Sequence, residues 1–141
     1  MNLLSRTSGR TGLILFYAVF LFNYITVFSQ KQIFYIHDRD TKIQSASLYG
    51  SDLQDLVVAR LDGALDIEVD SENDKIYWSE TGKVLSYEPA TGKIKLIRNY
   101  EAEGAFTTNI TAVALDNVNN KLYWINAGDG KIEKANPDGS D

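Results

Sequence analysis

The residues of this chain that could do chemistry are two groups of acidic side chains and one histidine. Asp38 and Asp40 flank an arginine, and the segment 70–74 carries three more carboxylates at alternate positions. Carboxylates spaced in this way could hold calcium, but neither group has the spacing of a known calcium-binding loop. We therefore interpret both groups as solvated turns.

The sequence offers few candidates for a catalytic base or nucleophile. The chain has no cysteine, and its one histidine is His37, so a Ser-His-Asp arrangement would have a single candidate base. His37 aligns with Ser79 and Ile125 in two later copies of the same segment, which favours a structural or surface role over a base or metal ligand. No phosphate-binding loop, zinc-ligand spacing or basic aromatic platform for nucleic acid is present. The sequence predicts no enzyme, no cofactor and no metal.

The elements that position these residues recur three times. The tyrosines at 35, 77 and 123 lie 42 (77 − 35) and 46 (123 − 77) residues apart, which is typical of a repeat of about four short strands. Each tyrosine belongs to a β-type segment of apolar and aromatic residues. Downstream of the first and third tyrosines, residues 43–52 and 132–141 align without a gap.

Alternating apolar residues and enrichment in β-branched and aromatic side chains predict ten strands and no convincing helix after residue 29. The predicted strands are residues 33–37, 42–47, 55–59, 65–69, 75–79, 83–87, 93–98, 111–115, 121–126 and 131–135. Polar or glycine-containing segments between them, 70–74, 80–82, 116–120 and 126–130, predict hairpin loops.

A blade of four strands has two apolar faces and cannot bury both alone, so the blades must stack face to face. Neighbouring residues of a strand point to opposite faces. We therefore expect the pairs Tyr77-Trp78 and Tyr123-Trp124 to send one ring toward each neighbouring blade. Rings of this size are the main packing groups available.

A family resemblance follows from these residues. The second and third repeats share one order of residues, which is an Asp, a polar turn, Lys, an apolar residue and Tyr-Trp, followed by Gly, Lys and Ile or Val. This order resembles the YWTD repeat, which is the class B repeat of the low-density lipoprotein receptor family. The resemblance covers nearly all of residues 33–141. The residues that match the repeat motif and that we interpret as structural are Tyr35, Asp38, Asp70, Tyr77, Trp78, Glu80, Asp116, Tyr123, Trp124 and Asn126.

The resemblance implies an all-β fold, a six-bladed β-propeller whose Tyr-Trp motif lies in the second strand of each four-stranded blade. Ten strands make only about two and a half to three of those six blades, so we expect an incomplete propeller. The motif departs from the family pattern at its fourth position, which we align as Asp38, Glu80 and Asn126. Receptors of the family also carry cysteine-rich modules, which a chain without cysteine lacks.

The N-terminal segment differs from the repeats. Two arginines precede an apolar run over 13–28, and Val27 and Ser29 are small residues suited to cleavage after Ser29. We predict a signal peptide at 1–29 and the partial propeller at 30–141, with repeats near 33–58, 65–98 and 111–141. An uncleaved membrane anchor is the alternative. Either way the protein is secreted or lies at the cell surface, or in the periplasm or on the outer surface of a bacterium.

The net charge of the chain limits the classes of partner that it is expected to bind. Beyond Ser29 the chain carries 12 basic (14 − 2) and all 19 acidic residues, a formal charge near −7, which argues against nucleic acid and anionic lipid. We expect a non-catalytic module that binds a protein or a glycan and belongs to a longer receptor-like protein. Self-association through open blade edges is a further expectation. The alternative function is a hydrolase or lyase with a metal in the central channel. Asn109 begins a triplet that fits N-glycosylation in a eukaryotic host.

Overall fold

The computed structural model describes residues 32–37, 42–58, 61–104 and 109–141, and within them ten β-strands follow one another. Their bounds are β1 Gln32–His37, β2 Lys42–Ser47, β3 Gln54–Val57, β4 Asp66–Asp70, β5 Lys75–Glu80, β6 Lys83–Glu88, β7 Lys93–Asn99, β8 Ile110–Asp116, β9 Lys121–Asn126 and β10 Lys131–Ala135. All ten predicted strands are present, and their ends differ from the prediction by two residues at most. The predicted signal peptide and Asp38 lie outside the described residues. Nowhere in the described ranges does a helix occur that is long and apolar enough to span a membrane.

The strands form three antiparallel sheets, which we call the first, second and third blades. The first blade has the order β1-β2-β3, the second β4-β5-β6-β7, and the third β8-β9-β10. The second blade is therefore complete with four strands. Among the described residues, the first blade has no counterpart of the inner strand β4, and the third has no counterpart of the outer strand β7.

The predicted hairpin loops join the strands where the sequence places them. Asp74 and Asn120 close the loops before β5 and β9 with φ angles of 50° and 51°, in the left-handed region that Asp and Asn tolerate better than most residues. Gly82 and Gly130 turn the chain before β6 and β10 with φ angles of 65° and 64°. Both blades thus use the same backbone conformation at the same step of the repeat.

Two apolar clusters fill the spaces between the blades. One lies between the first and second blades and contains Ile43, Val57, Leu61 and Trp78. The other lies between the second and third blades, and its buried members are Tyr77, Val84, Ile97, Tyr100, Ile110, Val113, Leu122, Trp124 and Ala135. Consecutive residues of β5 therefore belong to different clusters, so this strand is covered on both faces.

The two ends of the blades differ in construction. At one end, which we call the hairpin end, lie the loops 71–74 and 117–120 and the segment 136–141 after β10. At the other, the connection end, lie the short hairpins 81–82 and 127–130 together with the described parts of the connections that lead from one blade to the next, 61–65 and 100–104. Side chains from neighbouring blades meet at both ends.

Candidate functional site

The aromatic pairs of the repeat hold the blades together. Tyr77 packs toward the third blade and Trp78 toward the first, and both are buried. Trp124 packs back toward the second blade in the same cluster as Tyr77. This is the arrangement that strand alternation predicts, with each tryptophan directed at the preceding blade. Rings of this kind bury roughly 150–250 Å² each, so they dominate the contact between blades.

The first repeat is shifted by one residue from the sequence alignment. Its hairpin pairs His37 with Lys42, as the other hairpins pair Glu80 with Lys83 and Asn126 with Lys131. By this pairing His37 lies at the position of Glu80 and Asn126, and Tyr35 lies at the position of the tryptophans. Asp38 is outside the described residues, and its role in the motif stays a prediction.

The fourth motif position serves the tryptophan in the second blade. The indole Nε1 of Trp78 donates to Oε1 of Glu80 at 2.8 Å, and both side chains are buried. Asn126 takes the same position in the third blade but bonds elsewhere, since its Nδ2 donates to Oδ2 of Asp129 at 3.1 Å and to Oε1 of Glu133 at 3.3 Å. The degenerate motif thus changes the hydrogen-bond network from blade to blade.

Tyr100 supplies the acceptor that Trp124 would otherwise lack. Nε1 of Trp124 donates to the phenol oxygen of Tyr100 at 2.7 Å, and that hydroxyl donates to Oε2 of Glu133 at 2.7 Å. Burial, followed by the interaction with Glu133, raises the pKa of Tyr100 to about 12. The guanidinium of Arg98 lies 5.0 Å from the centre of the same ring, at cation–π distance.

The repeat aspartates fold their own loops. Oδ1 of Asp70 accepts from the backbone N–H of Glu72 at 3.1 Å and of Asn73 at 3.0 Å, and Oδ2 accepts from Nδ2 of Asn73 at 2.8 Å. Asp116 bonds the N–H and Nδ2 of Asn119 in the same way, at 3.0 and 2.7 Å. The side-chain bond and then the backbone bond from Asn119 hold the pKa of Asp116 below its ordinary value.

At the connection end, backbone hydrogen bonds join the hairpin after β5 to the connections on either side of it. The N–H of Thr81 donates to the carbonyl of Asp62 at 3.0 Å, and the N–H of Tyr100 donates to the carbonyl of Gly82 at 2.9 Å. Thr81 also forms an isolated bridge with Asn109. The short hairpin after β5 is therefore held between two connections.

Ion pairs reinforce this surface and leave it acidic. Nζ of Lys83 lies 2.9 Å from Glu101 and 3.7 Å from Asp62, and Arg98 lies 2.9 Å from Glu103. The Glu101 contact is the main reason that the pKa of Lys83 is raised. Both cations are thus already paired, while the acidic partners and Asp129 remain exposed to solvent.

The structure brings together some residues that the sequence singled out and separates others. Asp70 and Asp116 lie at the hairpin end, and Glu80 and Asn126 lie at the connection end. Sequence reasoning missed Tyr100 and Glu133, because Tyr100 lies in a connection and its partner 33 residues away is on a strand rich in lysine. Over the four described ranges, no three His, Asp or Glu side chains are grouped so that they could hold a metal.

Comparisons with known proteins give a fold and no family. Neither the models of protein families nor the curated proteins include a match. Among solved structures, a chain in the crystal structure of a nidogen/laminin complex matches with a TM-score of 0.68 and 20% sequence identity, over 80% of this chain and 43% of that one. The chain thus spans less than half the length of this structural relative. The match and the three antiparallel sheets confirm the predicted fold class, an all-β, incomplete β-propeller.

Proposed function

We propose that this chain is part of an exported YWTD-type β-propeller of the class B repeat family, and that it binds a protein through its connection end. The observation that carries the proposal is the bonding of this end. Hydrogen bonds join the hairpin 81–82 to Asp62, Tyr100 and Asn109, and Lys83 lies against Glu101, so these described parts of the surface are ordered before a partner binds. A preordered surface loses less conformational entropy on binding.

The charge of this end suggests the chemistry of the partner. Asp62, Glu101, Glu103 and Asp129 are exposed, and Lys83 and Arg98 are paired with the first three of them. Lys131 is a further exposed cation at this end, so four of these side chains are acidic and three are basic. A protein with a basic patch would complement this surface, and the opposite charges would accelerate the encounter. The relative found among solved structures comes from a complex between two proteins, nidogen and laminin, which supports a protein ligand over other classes.

The exposed face of the third blade supports the view that the chain belongs to a longer propeller. Ile43 and Val84 are the second residues of β2 and β6, and the next blade covers each to 0% exposure. Ile132 has the same place in the third blade but is 74% exposed, and its cross-strand neighbour Ile125 is 41% exposed. A further blade, from a longer chain or a second copy, would bury this pair. Sequencing the transcript past the codon for Asp141 and sedimentation of the purified chain distinguish the two sources.

Export rests on the N-terminal segment. Residues 1–29 have the order of a signal peptide, so we propose a secreted or cell-surface protein, or a periplasmic or outer-surface one in bacteria. Asn109 is exposed at the connection end, where a glycan could be attached in a eukaryotic host. N-terminal sequencing of the exported protein and its mass before and after glycosidase treatment check both proposals.

A non-catalytic role is part of the proposal. The alternative, a hydrolase or lyase with a metal in the channel, needs carboxylates, amides or histidines from several blades that converge on one point. Among the residues that the structure describes, His37 lies at the connection end of its blade, whereas Asp70 and Asp116 lie at the hairpin end and each accepts hydrogen bonds from its own loop. Metal analysis of the purified protein tests the alternative, which stoichiometric bound metal would favour.

The binding experiment uses the purified chain and an array of purified extracellular proteins, read by interferometry at several salt concentrations. Reversing two charges at the connection end, Asp62→Lys with Glu103→Lys, should weaken the binding of a true partner at least tenfold. The matched control reverses two exposed charges at the hairpin end, Glu72→Lys with Asp141→Lys, and should leave the affinity unchanged. Equal losses in the two variants would contradict the assignment to the connection end.

A further inference from the structure

A polar cleft lies between the second and third blades at the hairpin end, away from the surface discussed above. Its cavity of about 400 Å³ lies between Lys75 and Tyr77 on one side and Asn120 and Asp138 on the other. A smaller cavity of about 150 Å³ adjoins it and shares Lys75 and Asp138. The combined space falls within the range of ligand sites, about 300–1,000 Å³.

Two cross-strand rows of the second blade form the floor of this cleft. Strand pairing places Tyr77 beside Ser86, and Ser86 beside Lys95. Two residues further along each strand, toward the hairpin end, Glu88 is paired with Lys93. Lys75 lies two residues before Tyr77 on the same face of β5. The floor therefore presents a phenol hydroxyl, a serine hydroxyl, three ammonium groups and the carboxylate of Glu88 to the third blade.

The hydroxyl of Tyr77 is the feature that points to a ligand. The side chain is 0% exposed and lines the larger cavity, yet its oxygen has no hydrogen-bond partner among the described residues. Burial, and after it the nearby charges of Asp70 and Asp138, raises the pKa of this phenol to about 12. The group is thus a protonated donor at neutral pH, and a buried donor without an acceptor is unfavourable.

The charged groups around the cleft leave cations available and carboxylates occupied. Among the described residues, neither Lys75 nor Lys93 forms an ion pair, whereas Lys95 donates to the carbonyl of Asp138 at 2.7 Å. Oδ1 of Asp138 accepts from the N–H and hydroxyl of Ser140, and Asp70 is bonded within its own loop. Oε2 of Glu88, the third carboxylate of the cleft, accepts from the hydroxyl of Thr91 at 2.6 Å. The donors that remain are the ammonium groups of Lys75 and Lys93 and the hydroxyl of Tyr77, so a ligand needs acceptor atoms, and a carboxylate is the acceptor that an ammonium group binds most strongly.

We propose that this cleft binds an acidic sugar of the hexuronate type. The carboxylate of the sugar would lie against Lys75 and Lys93, and a ring hydroxyl would accept the hydrogen bond from Tyr77. Amide and hydroxyl groups suit a sugar because each of its hydroxyls both donates and accepts. A peptide is less suited, since Pro137 and the ring of Tyr77 are the apolar groups among those lining the cleft and peptide grooves provide more apolar anchors.

The test titrates the full chain with glucuronate, followed by NMR of its amide groups and by calorimetry, with glucose and acetate as comparison ligands. Glucuronate should shift resonances around the cleft and bind at least tenfold more tightly than either comparison ligand. Tyr77→Phe and Lys75→Ala should each weaken glucuronate at least fivefold. Lys131→Ala, at an exposed position of the connection end, is the matched control and should bind as the parent does.

Tyr77→Phe keeps the ring in the core and removes only the hydroxyl, so its fold should survive. Glucuronate should raise the thermal midpoint of the parent and raise that of Tyr77→Phe less. The absence of glucuronate binding, acetate binding as tight as that of glucuronate, or an unchanged affinity in Tyr77→Phe would each overturn the proposal. The last result would mean that the cavity holds only water next to this hydroxyl.

Discussion

The carboxylate of Asp66 accepts a hydrogen bond from the backbone N–H of Val113, with 2.9 Å between Oδ2 and the nitrogen. This bond joins the inner strands of the second and third blades, β4 and β8, which pack side by side. Val113 is buried, so its N–H has little access to water as an alternative acceptor. One carboxylate thus fixes the register of two blades relative to each other.

Asp66→Ala should lower the free energy of unfolding by about 1–3 kcal/mol, since it leaves a buried N–H without an acceptor. Urea denaturation measures this. Glu72→Ala, which changes an exposed carboxylate of a hairpin loop, should have an effect within about 0.5 kcal/mol. If the two variants were equally stable, the hydrogen bond between Asp66 and Val113 would not contribute to the stability of the fold.

A second variant, Asp66→Asn, should change the pKa of Glu68. Burial raises the pKa of Glu68, and the charge of Asp66 raises it further. Removing that charge should therefore lower the pKa of Glu68 toward its ordinary value, as followed by carboxyl carbon chemical shifts. Because the folded-state pKa is raised, the contribution of Glu68 to stability is present at low pH and lost as pH rises through that value.

Tyr100→Phe should destabilise the packing of the third blade on the second. The variant leaves the buried Nε1 of Trp124 without an acceptor and Glu133 without one donor, which we expect to cost about 1–3 kcal/mol. Urea denaturation followed by tryptophan fluorescence measures the loss. Tyr87→Phe is the control, since Tyr87 packs against the other cluster and no hydrogen bond of its hydroxyl supports the third blade. Equal stability of Tyr100→Phe and the parent would contradict the network.

Trp78→Ala should lower stability by about 3–5 kcal/mol, because it leaves a large cavity between the first and second blades. Such a loss approaches the whole stability of many domains, so Trp78→Phe serves as a milder variant that fills most of the space. Tyr49→Ala removes an aromatic ring that is 97% exposed and should change stability by less than about 0.5 kcal/mol. Thermal unfolding of the three variants tests the structural role of the motif.

Acid should weaken the loop of Asp116. Its pKa in the folded chain is lowered, so the stability that it contributes is present above the unfolded-state value near 3.8 and lost as pH falls through the folded value. Unfolding measured between about pH 5 and 2 should therefore decline less steeply in Asp116→Asn than in the parent. Glu72→Gln, at an exposed loop position, should keep the parental slope.

Much of the fold follows from local patterns. Alternation and turn residues predict all ten strands, and the direction of Tyr77 and Trp78 follows from the pleat of a single strand. These features depend on neighbours along the chain, which a sequence displays directly. The spacing of the repeats then gives the stacking of the blades, because each blade needs a partner for both faces.

The register of the first repeat and the connection end could not be obtained in the same way. In the first repeat, the counterpart of the Tyr-Trp pair could be Tyr35-Ile36 or Phe34-Tyr35. Only the pairing of His37 with Lys42 decides between these two alignments. The bond between Tyr100 and Glu133 depends on how a connection crosses the neighbouring blade. The cleft whose floor includes Tyr77 likewise forms only when the second and third blades are both in place.

Burial of β5 on both faces has a consequence for how the molecule opens. An amide of this strand can exchange its hydrogen with solvent only after an adjoining blade separates, whereas strands at the margins, such as β1 and β10, need no such step. We expect the slowest deuterium uptake in β5 and β6. Under thermal stress the outer blades would then separate first, and the second blade, which cannot bury both of its faces alone, would lose its order once they had left.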